Sequence, residues 1–180
     1  MGLKGSRSEK VKIIVCDSGP VIHLHEAGIL PLLQKIGEVF LPQRVQLEVS
    51  SIINLGKDWP EWLQVIHLSR DELKEAKMWT KIGDLHEGEA EAFVLARSLK
   101  VDWLLTDDSS ARFFASNMGL EVHGSLGIVL WNVAHKYLSR KEGINALRSL
   151  RKTSLWLSVN IFKEAERAIE EMGLRNKRLK

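Results

Sequence analysis

The sequence lacks the features of secreted and membrane proteins. Its single cysteine, Cys16, cannot form a disulfide within the chain, which argues against a disulfide-stabilised scaffold and fits a reducing compartment. No apolar run approaches the ~20 residues that a membrane helix needs. The polar start MGLKGSRSEK has no apolar segment of the kind found in signal peptides. We therefore expect a cytoplasmic protein without a membrane partner.

Length and composition favour one folded domain. The chain has 180 residues, 44% of them hydrophobic, which is enough for a sizeable core. We predict a single domain over residues 11–173, with flexible ends at 1–10 and 174–180. The net charge of +3 and the pI of about 9.0 are compatible with an RNA or DNA partner, but are well below those of a nucleic-acid coat protein.

Short apolar runs alternate with helical patterns along most of the chain. The runs KIIVC, EVFLP, VDWLLT and LEVHGS predict strands, and the end of WPEWLQVIHL predicts an edge strand. The intervening segments predict helices, and residues 126–173 read as two or three further helices. This alternation predicts a three-layer α/β/α, doubly wound parallel sheet with extra C-terminal helices.

Two of the predicted strands end on aspartate. Asp17 follows the first strand, and Asp107 and Asp108 follow the strand WLL. Ligands bind at the carboxyl ends of strands in open parallel sheets, so neighbouring strands would bring these side chains together. Each aspartate could instead be a simple helix cap.

The alanine-rich helix adds a further acid. Glu89 lies in the first turn, in the same row as Ala92 and Ala96, and should face the sheet. Glu87 and Glu91 fall on other faces of the helix. We therefore expect both to be solvated and to be dispensable for a site that contains Glu89.

Such a set of carboxylates favours a divalent cation. Clustered like charges raise one another's pKa, and a cation relieves the repulsion. All-oxygen ligation suits Mg²⁺ or Mn²⁺, whereas the sequence has no His or Cys spacing typical of zinc. His23 and His25 flank Leu24 on a helix, and we expect capping or surface roles for them.

The segments VCDSGPVIHLHEAGIL, VFLPQRVQLEV, LHEGEAEAFVLARSLKVDWLLTDDSSAR and MGLEVHGSLGIVL together resemble a PIN domain, from about residue 11 to 130. The closest likeness is to the toxin ribonucleases of prokaryotic toxin–antitoxin pairs. The resemblance implies a metal-dependent endoribonuclease whose acidic residues are Asp17, Glu48, Glu89 and either Asp107 or Asp108. The third position is often Asp in the toxins, whereas this chain has Glu.

The resemblance also implies roles for these residues. Asp17, Glu89 and one of the paired aspartates would hold Mg²⁺ or Mn²⁺, with Glu48 acting directly or through water. Ser18 would orient a phosphate or a water. Arg44 and Arg112 are candidates for phosphate contacts with RNA. An antitoxin protein would be a further partner.

Other readings remain open. An aspartyl-phosphate phosphotransferase commonly has a second acid two residues after the first, but Gly19 stands there. A phosphorylated receiver domain usually needs a lysine after a late strand, and EVHGS has none. A non-catalytic domain that binds RNA or a protein is the main alternative. The apolar segment SLGIVLWNVAHKYL, with Trp131, predicts either a homodimer or partner contact, or simply an internal core helix.

Overall fold

The computed structural model describes residues 11–55 and 58–175. The predicted flexible ends lie outside the described residues, except that the last helix continues through residue 175. The strands are β1 Lys12–Cys16, β2 Gly37–Pro42, β3 Leu63–Ile66, β4 Trp103–Leu105 and β5 Val122–His123. The helices are α1 Ser18–Glu26, α2 Gln43–Ile52, α3 Arg70–Ile82, α4 Glu87–Leu99, α5 Ser109–Asn117, α6 Ser125–Ala134, α7 Arg140–Leu150 and α8 Val159–Arg175, with a 3₁₀ helix at Leu30–Lys35.

The five strands form one parallel sheet in the order β3-β2-β1-β4-β5. The predicted doubly wound α/β/α architecture is confirmed, and LQVI forms the predicted edge strand. β1 lies at the centre, and its last residue, Cys16, pairs with Leu105 at the end of β4. The residues that follow these two strands therefore emerge side by side.

The central strand β1 contributes side chains to two apolar layers. Ile14 and Cys16 belong to the larger core cluster, with α1, α2 and the C-terminal helices. Val15 points to the opposite face and packs with α4 and α5. Successive side chains of a strand alternate between faces, and all three are fully buried, which is why the run carries no polar residue.

The sequence QRVQLEVSSIINLG predicts a helix with the apolar row Val45, Val49, Ile52 and Ile53, and α2 departs from this row at one position. Val45, Val49 and Ile53 are buried as expected, but Ile52 is 63% exposed. The helix ends at Ile52, and Ile53 has an extended backbone, so helical spacing no longer decides which residue faces the core.

Several of the apolar side chains of helix α6 are buried inside this chain. Ile128, Val129 and Val133 are buried, and the helix packs against α7 and α8. Trp131 is only partly buried and stacks on His135, with ring centroids 3.8 Å apart. A homodimer or partner contact through this helix stays a prediction.

No helix in residues 11–55 and 58–175 has the length and apolar character needed to cross a membrane.

Candidate active site

Asp17 lies at the carboxyl end of the central strand and is 5% exposed. Its backbone N–H donates to the Leu105 carbonyl at 2.9 Å, which continues the pairing of β1 with β4. Asp17 occupies the N-cap position of α1, but its side chain makes no cap hydrogen bond there. The carboxylate instead accepts a hydrogen bond from Thr106 Oγ1 at 3.0 Å, and its other oxygen, Oδ1, has no partner among the described residues.

The surroundings of Asp17 disfavour its charge. Burial raises the pKa of Asp17 to about 7, and the carboxylates of Glu89 and Glu48 contribute in the same direction. Asp17, Glu89 and Thr106 line a small cavity whose other walls are apolar side chains, among them Phe93 and Phe114. This cavity, of about 10 Å³, is close to the smallest volume that can hold one water molecule.

Glu89 faces the sheet as predicted and also caps its own helix. The backbone N–H of His86, the N-cap residue of α4, donates to Glu89 Oε2 at 2.8 Å. Burial raises the pKa of Glu89, and the charges of Asp108 and Glu48 raise it further. The carboxylate therefore stabilises the start of α4 while it faces other acids.

Glu48 reaches this cluster because the residue opposite it is a glycine. A Cβ on Gly88 would lie 2.5 Å from Glu48 Oε2 and 2.6 Å from Oε1. Only glycine lets the Glu48 carboxylate approach the first turn of α4 so closely. The helical periodicity of GEAEA drew attention to its acids and not to Gly88, although a Gly inside a helical pattern is itself a signal of close approach.

The paired aspartates have different surroundings. Asp107 Oδ1 accepts from the Ser125 N–H at 2.6 Å, and Oδ2 lies 2.6 Å from Ser125 Oγ and 2.7 Å from His23 Nδ1. Its side chain is 9% exposed and is held between α1 and α6. Asp108 begins α5 by accepting from the Ala111 N–H at 2.8 Å, and its charge acts on Glu89. Asp108 is thus close enough for its charge to act on Glu89, whereas Asp107 has both carboxylate oxygens engaged by Ser125 and His23.

The expectation of a capping or surface role for His23 was wrong. Its side chain is 15% exposed and bonds Asp107, because α1 packs directly beside the end of β4. Sequence spacing gives no hint of this contact, which joins residues 84 positions apart.

Arg44 is held by acids of α4. Its guanidinium pairs with Glu87 at 2.5 Å and lies 3.7 Å from Glu91. The expected solvation of Glu91 was wrong, since its side chain is only 13% exposed and burial raises its pKa. The reason is that α2 packs against α4 and covers that face, while Glu87 remains 64% exposed as expected.

Ser18 and Arg112 occupy the borders of the acidic cluster. Ser18 is the first residue of α1 and is half-buried, directly after Asp17. Arg112 is exposed on α5, one turn after Asp108, whose carbonyl accepts from the Arg112 N–H at 3.0 Å. Neither placement by itself assigns a substrate contact.

The donor chemistry of this cluster fits Mg²⁺ or Mn²⁺. It consists of carboxylate oxygens, and the buried, unpartnered Oδ1 of Asp17 is a ligand without a proton donor. Within the described ranges, no three His, Cys, Asp or Glu side chains already surround a common point. Asp108 and one oxygen of Glu89 serve as helix caps, so their side chains would have to rearrange to share an ion with Asp17.

Comparison with known proteins finds a family model that matches most of the chain. Residues 13–171 match a family model described as a PIN domain. A search of curated proteins gives no match.

Proposed function

Because the chain belongs to the PIN domain family, whose fold is of the nuclease type, we propose that it is an endoribonuclease that depends on Mg²⁺ or Mn²⁺. The observation that carries the proposal is the buried Asp17 carboxylate. It has an unpartnered oxygen at the edge of the sheet, and it faces other acids. Burying an isolated charge costs free energy. Buried carboxylates are therefore usually paired with cationic groups or bound to a metal cation.

The residues of the site have different roles in this proposal. Asp17, Glu89 and Asp108 would hold the ion, and Glu48 would lie beside them next to Gly88. We call these four carboxylates the acidic wall. When bound, the divalent ion supplies a lowered pKa for water and charge neutralisation for the phosphate. Thr106 fixes the orientation of the Asp17 carboxylate through its hydroxyl.

Phosphate binding would come from residues around this wall. The Ser18 hydroxyl lies next to Asp17 and would orient a phosphate oxygen. Arg44 is held by Glu87 but remains 44% exposed, so part of its guanidinium is available to the RNA backbone. Arg112 offers a second cation on α5. Such contacts give affinity without reading sequence.

The test is cleavage of single-stranded RNA by the full chain. We expect cleavage with Mg²⁺ or Mn²⁺, its loss in EDTA, and a fall of several orders of magnitude for Asp17→Asn. Asp71→Asn is the matched control, because Asp71 is 91% exposed on α3 and outside the cluster. A rate for Asp17→Asn within threefold of the parent, or full cleavage by metal-free protein, would overturn the proposal.

A second candidate function is RNA binding without catalysis. The observation in its favour is that Glu89 and Asp108 are both engaged as helix caps, so that the described residues contain no ready-made ion site. The same assay separates the two functions. RNA binding that persists in the parent protein without cleavage under any divalent ion would favour the non-catalytic reading.

We propose further that the nuclease is the toxin of a toxin–antitoxin pair, controlled by a protein that covers the acidic wall. Expression of the chain alone should then arrest growth, and Asp17→Asn should abolish the arrest. Co-expression with a small protein encoded next to it should restore growth. Normal growth at high levels of the active chain would contradict this role.

A further inference from the structure

A second depression lies beside the acidic cavity and shares a wall with it. It has a volume of about 440 Å³, within the range of small-molecule sites, and it is formed by the end of α3 and the outer face of α5. Phe114 lines both this depression and the small cavity that contains Asp17 and Glu89. A molecule in the depression would therefore lie one side chain away from the cavity that contains Asp17 and Glu89.

The floor of the depression is densely packed. The Phe114 ring packs edge-on against Trp79 at 5.3 Å and against Phe93 at 5.0 Å between ring centroids. A Cβ on Gly83 would lie 2.9 Å from the Phe114 ring, so glycine at this position lets α3 end directly against it. The wall between the two cavities is thus fixed by packing on several sides.

The rim combines an exposed aromatic ring with hydrogen-bonding groups. Phe113 is 73% exposed, and Ile82 and Met118 beside it are also exposed. The remaining rim consists of Ser109, Ser110 and Asn117, whose hydroxyl and amide groups both donate and accept. We call these six residues the α5 platform.

We propose that the α5 platform stacks an unpaired RNA base next to the phosphate that is cut. This inference rests on the proposed nuclease function, and it names single-stranded RNA as the substrate class. Phe113 would supply the stacking face, and the serine and asparagine side chains would bond the edge of the base. Stacking on aromatic side chains is a general way to hold single strands without sequence preference.

The helices around the depression also carry exposed basic residues. Lys81 and Arg112 are exposed on the two helices that form the depression. Within residues 11–55 and 58–175 neither is joined to an acid by an ion pair. Single-strand binders combine an exposed aromatic ring with nearby cations that contact phosphates, and both occur on α3 and α5 here.

The test measures binding apart from cleavage. Single-stranded RNA oligonucleotides that carry the fluorescent base 2-aminopurine at successive positions are titrated with the full chain in EDTA. We expect quenching at one position, and a loss of affinity of roughly 5- to 150-fold for Phe113→Ala, the range typical of one stacked base. Phe113→Trp should keep the affinity. Trp156→Ala is the matched control, because Trp156 is 89% exposed in the loop before α8.

The outcomes distinguish this inference from the nuclease proposal. Quenching that depends on Phe113, in a protein that never cleaves RNA, would retain the stacking site and overturn the nuclease. Cleavage with Phe113→Ala binding within twofold of the parent would retain the nuclease and overturn the stacking site. Equal affinity for an oligonucleotide with an abasic position would also overturn it, as would the absence of RNA binding by the parent chain. Because Phe113 is exposed, its replacement should leave the thermal unfolding midpoint unchanged.

Discussion

Replacing Asp17 by asparagine should make the protein more stable at pH 8, although it removes a central residue of the site. Burial holds the pKa of Asp17 at about 7 in the folded protein, compared with an ordinary value of 3.8. At 1.36 kcal/mol per pH unit, that difference corresponds to about 4 kcal/mol that the folded state loses when Asp17 ionises.

The sign follows from the direction of the pKa. Between pH 3.8 and about 7 the folded protein binds the Asp17 proton more tightly than the unfolded chain does, so stability falls as the pH rises through this range. Below pH 3.8 the free-energy penalty for the buried Asp17 charge is absent, and above about pH 7 it is complete. Asparagine has nearly the same shape, can still accept from Thr106, and carries no charge, so it avoids the penalty.

The assay is urea unfolding of the parent and Asp17→Asn in EDTA at pH 5 and pH 8. We expect the variant to gain up to about 4 kcal/mol at pH 8 and about half of that or less at pH 5. Adding Mn²⁺ at pH 8 should stabilise the parent and leave the variant unchanged. A variant that is equally stable or less stable at pH 8, with no dependence on pH, would refute the buried-charge account of Asp17.

Four further substitutions probe the residues around Asp17. Gly88→Ala should displace the Glu48 carboxylate and reduce Mn²⁺ affinity measured by calorimetry, because its Cβ would lie 2.5–2.6 Å from the carboxylate oxygens; unchanged affinity would place Glu48 outside the ion site. Asp107→Asn should lower the free energy of unfolding by about 1–3 kcal/mol through its buried hydrogen bonds while keeping metal-dependent cleavage at low temperature, and an unchanged unfolding midpoint with lost Mn²⁺ binding would contradict this. Glu89→Gln should abolish metal-dependent cleavage of RNA, whereas Glu87→Gln, on the exposed face, should leave the rate within threefold; the reverse result would mean that α4 presents the other acid to the site.

The sequence located the acids by simple geometry. Asp17 and the 107–108 pair each follow an unbroken apolar run, and parallel neighbours must end at the same edge. The pairing of Cys16 with Leu105 fulfils that expectation. The position of Glu89 also followed from helical periodicity, because its row contains small and apolar residues that face the sheet.

Helical periodicity predicted the wrong exposure for Glu91, which lies where two helices meet. Glu91 was expected to be solvated because it lies away from the sheet-facing row, but α2 covers that face and leaves it 13% exposed. A helical pattern reports which side of a helix is apolar, and it carries no information on a second helix that covers a charged side through an ion pair.

What the sequence by itself determined is the alternation of strands and helices, and the strand-end position of Asp17, since both depend on local periodicity and chain connectivity. Only the tertiary structure decided that Asp107 bonds His23 and Ser125 while Asp108 caps α5 and its charge acts on Glu89. Adjacent residues after a strand diverge in direction, and their surroundings are supplied by helices far away in the sequence. The exposure of Phe113 and the approach of Glu48 to Gly88 have the same origin, because each depends on how whole helices are placed on the sheet.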